Sequence, residues 1–307
     1  MCSEEKETLS AHDKAHYFTN VTHEAVYDLV SPLNPSNSFA GKVVLVTGGG
    51  KGIGRAIAFG FAQAGARGVI LVGRDQGALE ASRAGIEKSG AKVLCYEADI
   101  TSPSRIHEVF NDSLDVFGGI DVLVNNAGYL PTPQVFDKTS SLDDFWQGFE
   151  VNVKGGVTVT LQFLKSAKPD STIINISSGA AHVSFYDGYA SYSASKLALM
   201  RIMEFVQNEC PHVRVFSLQP GTVLTDMTRK SAYPTHTDIS KSLHCCSAIL
   251  RSGSFADCIP SIQGSQRLYA SGWRRAKPTF SKADLSGQIG TSKNCWKKKI
   301  QSSEKTC

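Results

Sequence analysis

The chain has 307 residues, of which 41% are hydrophobic and 20% charged. This is an ordinary globular composition, and the chain is long enough to bury a full core as one large domain or two small ones. The net charge of +4 is uneven: residues 240–307 hold twelve Lys/Arg against three Asp/Glu, a surplus of +9, while the remainder stands at −5. No apolar run approaches the ~20 residues of a membrane helix, and the charged N-terminus lacks the apolar stretch of a secretory signal. The expectation is therefore a cytoplasmic protein with no membrane partner.

Eight cysteines are present, but none forms a CxxC pair or alternates with His at zinc-ligand spacing, which predicts reduced thiols and no metal. Residues 1–39 are polar and pass through SPLNPSNS, an N-terminal arm wrapping onto a domain rather than part of its core. Regular structure is expected from Gly41. KVVLVTG is a buried strand ending in glycine, and RAIAFGFAQAGA follows with helical spacing. GVILVGR, KVLCYEADI, IDVLVNNAG, STIINISS and VRVFSLQPG read as five further strands. Between them lie amphipathic stretches such as SRIHEVFNDSLDVFG and LDDFWQGFEVNVKGGVTVTLQFLKSA. Strands alternating with helices predict an α/β fold, a Rossmann-type doubly wound parallel sheet with helices on both faces, over residues 40–232. Residues 233–307 lose this pattern. They form an atypical basic Ser/Lys/Cys-rich tail expected to be irregular and poorly ordered. The tail has no aromatic interleaving, so no nucleic-acid partner is expected.

The first strand runs into Thr47-Gly48-Gly49-Gly50-Lys51-Gly52-Ile53-Gly54, and a helix begins at about Arg55. Glycines between a strand and a helix let the backbone turn tightly and approach a pyrophosphate. The first N–H groups and the dipole of the helix can then hold its charge. Gly48, Lys51, Gly52, Ile53 and Gly54 are thus candidate cofactor residues. An acidic residue at the end of the second strand would favour NAD through the ribose 2′-hydroxyl. Gly73 and Arg74 stand there instead, and Asp75 comes one residue late. A guanidinium suits a 2′-phosphate, and Lys51 can add a second cation, so NADP is expected over NAD.

Tyr192 and Lys196 stand four apart in YSASK, one face of a helix. A phenol titrates near ~10, and an adjacent ammonium is expected to lower that value toward useful proton transfer. Ser178 lies 14 residues before Tyr192, at the end of the fifth strand, where its hydroxyl can reach a substrate oxygen. Ser177 is the less favoured hydroxyl.

Taken in order, TGGGKGIG, NNAG, EVNVKG, the Ser-Ser strand end, YSASK and the PGTVLT that starts at Pro220 resemble the short-chain dehydrogenase/reductase family. The resemblance covers residues 40–228, and the arm before Gly41 is similar to that of fungal members. It implies an oxidoreductase that interconverts a carbonyl and an alcohol on a small organic substrate, such as a secondary-metabolite intermediate. By that resemblance Tyr192 is the general acid/base, Lys196 tunes it and holds the nicotinamide ribose, Ser178 orients the carbonyl, and Asn152 supports a proton relay. Asp99 and Ile100 flank the adenine, Asn126 sits by the cofactor, and Val223 and Thr225 hold the carboxamide side of the nicotinamide. The family also implies a homo-oligomer. After Thr228 the lid, helix and last strand usual in the family are not found, so the sheet is expected to lack an edge strand and the pocket a wall. That departure supports an alternative: an inactive reductase, or a non-catalytic NADP-binding or redox-sensing protein.

Overall fold

The computed structural model describes residues 27–182, 187–221 and 223–230, and the backbone of 267–269. Six parallel strands make the sheet: β1 (Val43–Thr47), β2 (Gly68–Gly73), β3 (Lys92–Glu97), β4 (Val122–Asn125), β5 (Thr172–Ile176) and β6 (Arg214–Gln219). Their spatial order is β3-β2-β1-β4-β5-β6. The chain order reverses between β1 and β4, which is where a doubly wound sheet opens a crevice for ligands.

Alternation along β1 divides the two layers. Val44 and Val46 face one side, packing with Ile57 and Phe61 of α1 (Gly52–Gln63) and Leu79 and Ile86 of α2 (Gln76–Ile86). Val43 and Leu45 face the other, with Ile106 and Phe110 of α3 (Pro103–Phe117). Val159 and Phe163 of α5 (Gly156–Leu164), and Leu199 and Met203 of α6 (Ala190–Glu209), complete that second layer. Every residue of β1, β4 and β5 is buried, the reason these strands read as unbroken apolar runs.

Two features depart from the sequence reading. A seventh strand, β7 (Arg267–Tyr269), pairs antiparallel with β6, Leu218 opposite Leu268. The edge strand expected to be lost is replaced by a three-residue one, too short to show a hydrophobic period. The rest of the 233–307 tail lies outside the described residues. The stretch 142–167 is also not one helix. Between α4 (Leu142–Phe149) and α5 the chain widens into a π-helical turn, Glu150–Gly155. Gly155 and Gly156 close that turn, where side chains would collide. A Cβ on Gly155 would meet Ile100 at 2.6 Å, and one on Gly156 would meet Leu199 at 2.8 Å.

Residues 27–39 of the arm lie against the domain. The Asn37 amide donates to the Leu29 and Ser31 carbonyls, and Val30 is buried. Phe39, the last residue assigned to the arm, is packed in the core edge-on to Phe61. Among the described residues no helix is long and apolar enough to cross a membrane. Among the same residues no cluster of three or more His, Cys, Asp or Glu is placed to hold a metal ion.

Candidate active site

A cleft of about 480 Å³ opens at the C-terminal ends of β1 and β4. Its floor is the loop between β1 and α1. Gly48 and Gly52 take positive φ, +66° and +51°, which costs glycine little. Gly54 lies directly under Gly48: a Cβ there would sit 2.2 Å from the Gly48 carbonyl oxygen. The loop is tied to β4 through Thr47, whose hydroxyl accepts from the N–H groups of Asn126 and Ala127, each at 3.0 Å. Asn126 returns its amide to the Thr47 carbonyl at 2.8 Å. Gly48, Lys51, Gly52, Ile53 and Asn126 all line the cleft. Because α1 starts there, its unpaired first-turn N–H groups lie at the cleft as well.

At one end, Arg74, Asp99 and Ile100 form the rim. Asp99 accepts from the N–H and hydroxyl of Thr101, at 2.8 and 2.7 Å. Burial raises its pKa, but these bonds and the charge of Arg74 outweigh that and hold it below its ordinary value. Arg74 is exposed and makes no hydrogen bond or ion pair with any described residue. Lys51 is engaged: its Nζ lies 2.6 Å from Asp75, while the other oxygen of Asp75 caps α2 at Ala78 N. Asp75 is thus a helix cap and a partner for Lys51. The cavity, the glycines that a Cβ would block and the cations at the rim fit a phosphorylated dinucleotide.

Across the cleft, α6 carries Tyr192 and Lys196 beside the end of β5. Lys196 is 5% exposed. Its Nζ donates to the Ile176 carbonyl at 2.8 Å and sits 5.8 Å from the centroid of the Tyr192 ring. Burial pushes its pKa down to about 8. Burial pushes the Tyr192 phenol up to about 12, with the Ser178 hydroxyl beside it opposing the shift. The expected lowering of Tyr192 by Lys196 is therefore overridden: desolvation of the phenolate dominates, and the ammonium contributes no resolved lowering. Ser178 Oγ accepts from Ala180 N at 3.2 Å. Ser177 lines the cleft, and its buried hydroxyl has no partner among the described residues.

Asn152 lies in the π turn and is 2% exposed. Its Oδ1 accepts from Tyr129 N at 2.7 Å, and its Nδ2 donates to Tyr129 O and Ser195 Oγ, both at 2.9 Å. Gly128 brings it toward Lys196: a Cβ there would meet Asn152 Oδ1 at 3.2 Å and Lys196 Nζ at 3.4 Å. On the remaining side, Thr225 lines the cleft from just ahead of the short helix α7 (Asp226–Lys230). Val223 is buried behind it and does not line the cleft. The Ile176 carbonyl escaped the sequence reading, because a main-chain acceptor carries no motif; Thr47 opens the glycine motif, but its hydroxyl's tie to β4 was not read from it.

The family model described as short chain dehydrogenase matches residues 42–234. The chain belongs to the short-chain dehydrogenase family. As a member it is an oxidoreductase that uses NAD(P) and acts on small carbonyl or alcohol substrates. This short-chain dehydrogenase is 32% identical over 214 residues to the tetrahydroxynaphthalene reductase PfmaG of Pestalotiopsis fici, covering 68% of this chain and 76% of that protein. Its fold matches a short-chain dehydrogenase from Burkholderia cenocepacia in complex with NADP, with TM-score 0.61, 28% identity, and coverage of 69% of this chain and 89% of the other. It also matches a 7α-hydroxysteroid dehydrogenase complexed with NADH and 7-oxo glycochenodeoxycholic acid, with TM-score 0.64, 25% identity, and coverage of 71% and 90%. The solved relatives thus span both nicotinamide cofactors, and the choice between them falls to this chain's own rim.

Proposed function

We propose that this chain is an NADP-dependent carbonyl reductase or alcohol dehydrogenase with Tyr192 as its general acid/base. The observation that carries the reading is that Tyr192 and Lys196 stand together on the wall of the cleft floored by the glycine loop, with Ser178 beside Tyr192. The nicotinamide, when bound, supplies or accepts the hydride at the carbonyl carbon. The chain's residues handle the oxygen and its proton. In reduction the Tyr192 hydroxyl gives its proton to the oxygen as the C–H bond forms; in oxidation it takes that proton back. With its pKa pushed up to about 12 by burial, Tyr192 holds its proton at neutral pH until the oxygen draws it.

Ser178 orients the carbonyl oxygen toward Tyr192. Lys196 spends one of its three donors on Ile176 and has the others for the nicotinamide ribose. Asn152 holds the loop beside Lys196 and supports the proton path. Gly48, Lys51, Gly52, Ile53, Gly54 and Asn126 cradle the pyrophosphate side, Asp99 and Ile100 flank the adenine, and Thr225 holds the carboxamide side, with Val223 buried behind it in support. NADP is the assigned cofactor because Arg74 is a guanidinium at the rim with no partner among the described residues, Lys51 lines the same cleft, and Asp75, the carboxylate after that strand end, is committed to Lys51 and the α2 cap. A secondary-metabolite ketone is the proposed substrate, in line with the reductase named for PfmaG.

The test is NADPH oxidation by the purified chain across a carbonyl panel that begins with hydroxylated naphthalenes. Turnover that vanishes in Tyr192→Phe, with NADPH still bound, supports the reading. Binding without turnover on any member would replace it with a non-catalytic NADP-binding protein.

A further inference from the structure

Both partners of Asn152 on its loop side are main-chain groups of one residue, Tyr129. Asn152 can be no better placed than that backbone, and the segment after β4 is a loop rather than a strand or helix. Its anchor is Asp144. The Tyr129 hydroxyl donates to Asp144 Oδ1 at 2.5 Å, and Thr132 N donates to Asp144 Oδ2 at 2.9 Å. One carboxylate thus ties down both ends of residues 129–132.

The local sequence makes this arrangement conspicuous. Ser141 caps α4 through a bond from Asp144 N to its hydroxyl at 3.1 Å. Ser141 and Asp144 have the S-x-x-D/E spacing of a capping box, in which the acidic side chain returns to the cap residue's own N–H. Here the carboxylate points to the loop instead, forgoing that local bond. The Tyr129 hydrogen bond holds Asp144 below the ordinary carboxylate range, so both oxygens stay acceptors at neutral pH. The same helix reaches the other side of the site: the Phe145 carbonyl accepts from Ser191, the neighbour of Tyr192. A Cβ on Gly148 would strike both Ser191 and Pro131. The loop under Asn152 and the start of the helix bearing Tyr192 are therefore referenced to α4.

We propose that Asp144 is a positioning residue for proton transfer: through the Tyr129 hydroxyl and Thr132 N–H it fixes the Tyr129 main chain, and through that chain the Asn152 side chain beside Lys196. This rests on the proposed role of Asn152. The removal of one partner of a charge-assisted hydrogen bond should be felt first in the loop and then in the proton step, while β1 and α1, to which Asp144 makes no hydrogen bond among the described residues, are left alone.

The experiment compares the full chain with Tyr129→Phe and Asp144→Asn, the first deleting a single hydroxyl. Amide hydrogen exchange is followed without cofactor, and NADPH-dependent reduction of 9,10-phenanthrenequinone is followed with it. Exchange at peptides spanning 128–132 should quicken about tenfold in both variants, with peptides of β1 and α1 unchanged. Turnover number should fall about tenfold, the weight of one such bond, with KM for NADPH and quinone unchanged and a larger solvent deuterium effect. A merely structural role would lower the melting temperature without that kcat-only pattern. Unchanged exchange at 128–132 overturns the anchor. Quickened exchange with an unchanged kcat overturns the link to proton transfer. A wild-type chain that turns over nothing removes the catalytic reading itself, and the exchange comparison still decides whether Asp144 holds the loop.

Discussion

Gly54 and Gly48 face each other across the turn of the glycine loop, and the space between them is smaller than a methyl group: a Cβ on Gly54 would stand 2.2 Å from the Gly48 carbonyl oxygen and 2.4 Å from the Asn126 amide. Neither neighbour can yield, because the first is main chain and the second is bonded to Thr47. Gly54→Ala should therefore displace the loop, costing about 1–3 kcal/mol as overpacking does, and raise the NADPH dissociation constant at least about fivefold. Gly60, on the same helix, has open space around its Cβ direction. Gly60→Ala should stabilise the fold by about 0.5–1 kcal/mol, the helix penalty of glycine. Chemical denaturation and nucleotide titration of the two variants check the contrast, and equal effects at the two positions would contradict it.

The contrast also marks what a sequence can carry. The six parallel strands were legible because burial on both faces leaves continuous runs such as VVLVT and TIINI. The glycine loop was legible because its residues sit between a strand and a helix. The Arg267–Tyr269 strand was not, since three residues cannot display a period. The π turn at Glu150–Gly155 was hidden inside an amphipathic stretch that reads as ordinary helix. The direction of the Tyr192 shift was misjudged for a different reason. Spacing brings Lys196 near the ring, but the desolvation that decides the shift depends on how the cleft wall closes around the phenol. The anchoring of Lys196 by a main-chain carbonyl leaves no trace in side-chain identity.

Arg74 supplies the cofactor test. Its guanidinium has no partner among the described residues, so substitution breaks nothing in the fold. Arg74→Ala should weaken NADPH binding about tenfold to a hundredfold, the range of one or two charge-assisted bonds to a phosphate, and leave NADH within about twofold. Lys51→Ala should do less, because Lys51 is shared with Asp75. Fluorescence titration with both nucleotides reads the result. An equal loss for NADH and NADPH would move Arg74 off the 2′-phosphate.

Phe39 joins the arm to the core. It is 7% exposed, its ring centroid lies 4.8 Å from that of Phe61, and its N–H donates to the Ala64 carbonyl at 2.7 Å. Phe39→Ala should cost about 3–5 kcal/mol, as buried aromatic truncations do. Urea unfolding followed by circular dichroism gives the value. A cost below about 1 kcal/mol would mean that the arm contributes little to the fold.

Lys196 links the site to stability. Its pKa in the folded protein is about 8, against an ordinary value of 10.5, and burial is the cause. The folded state therefore releases this proton near pH 8, while the unfolded state keeps it until about pH 10.5. Between those values the unfolded chain binds more protons, so stability rises with pH across the window. Below pH 8 the folded state holds the ammonium buried while the unfolded chain solvates it, and the cost is on the order of 3 kcal/mol. Lys196→Met removes the group and with it the dependence. Unfolding free energies without cofactor, measured at pH 7 and pH 9.5, should thus show the wild type gaining on the variant as pH rises. Tyr192 does not disturb this window, because its raised pKa acts only above its ordinary value of 10. If the two proteins kept a constant difference from pH 7 to pH 9.5, the ammonium would have to be solvated in the free enzyme, and the cleft around Ile176 more open than its hydrogen bonds imply.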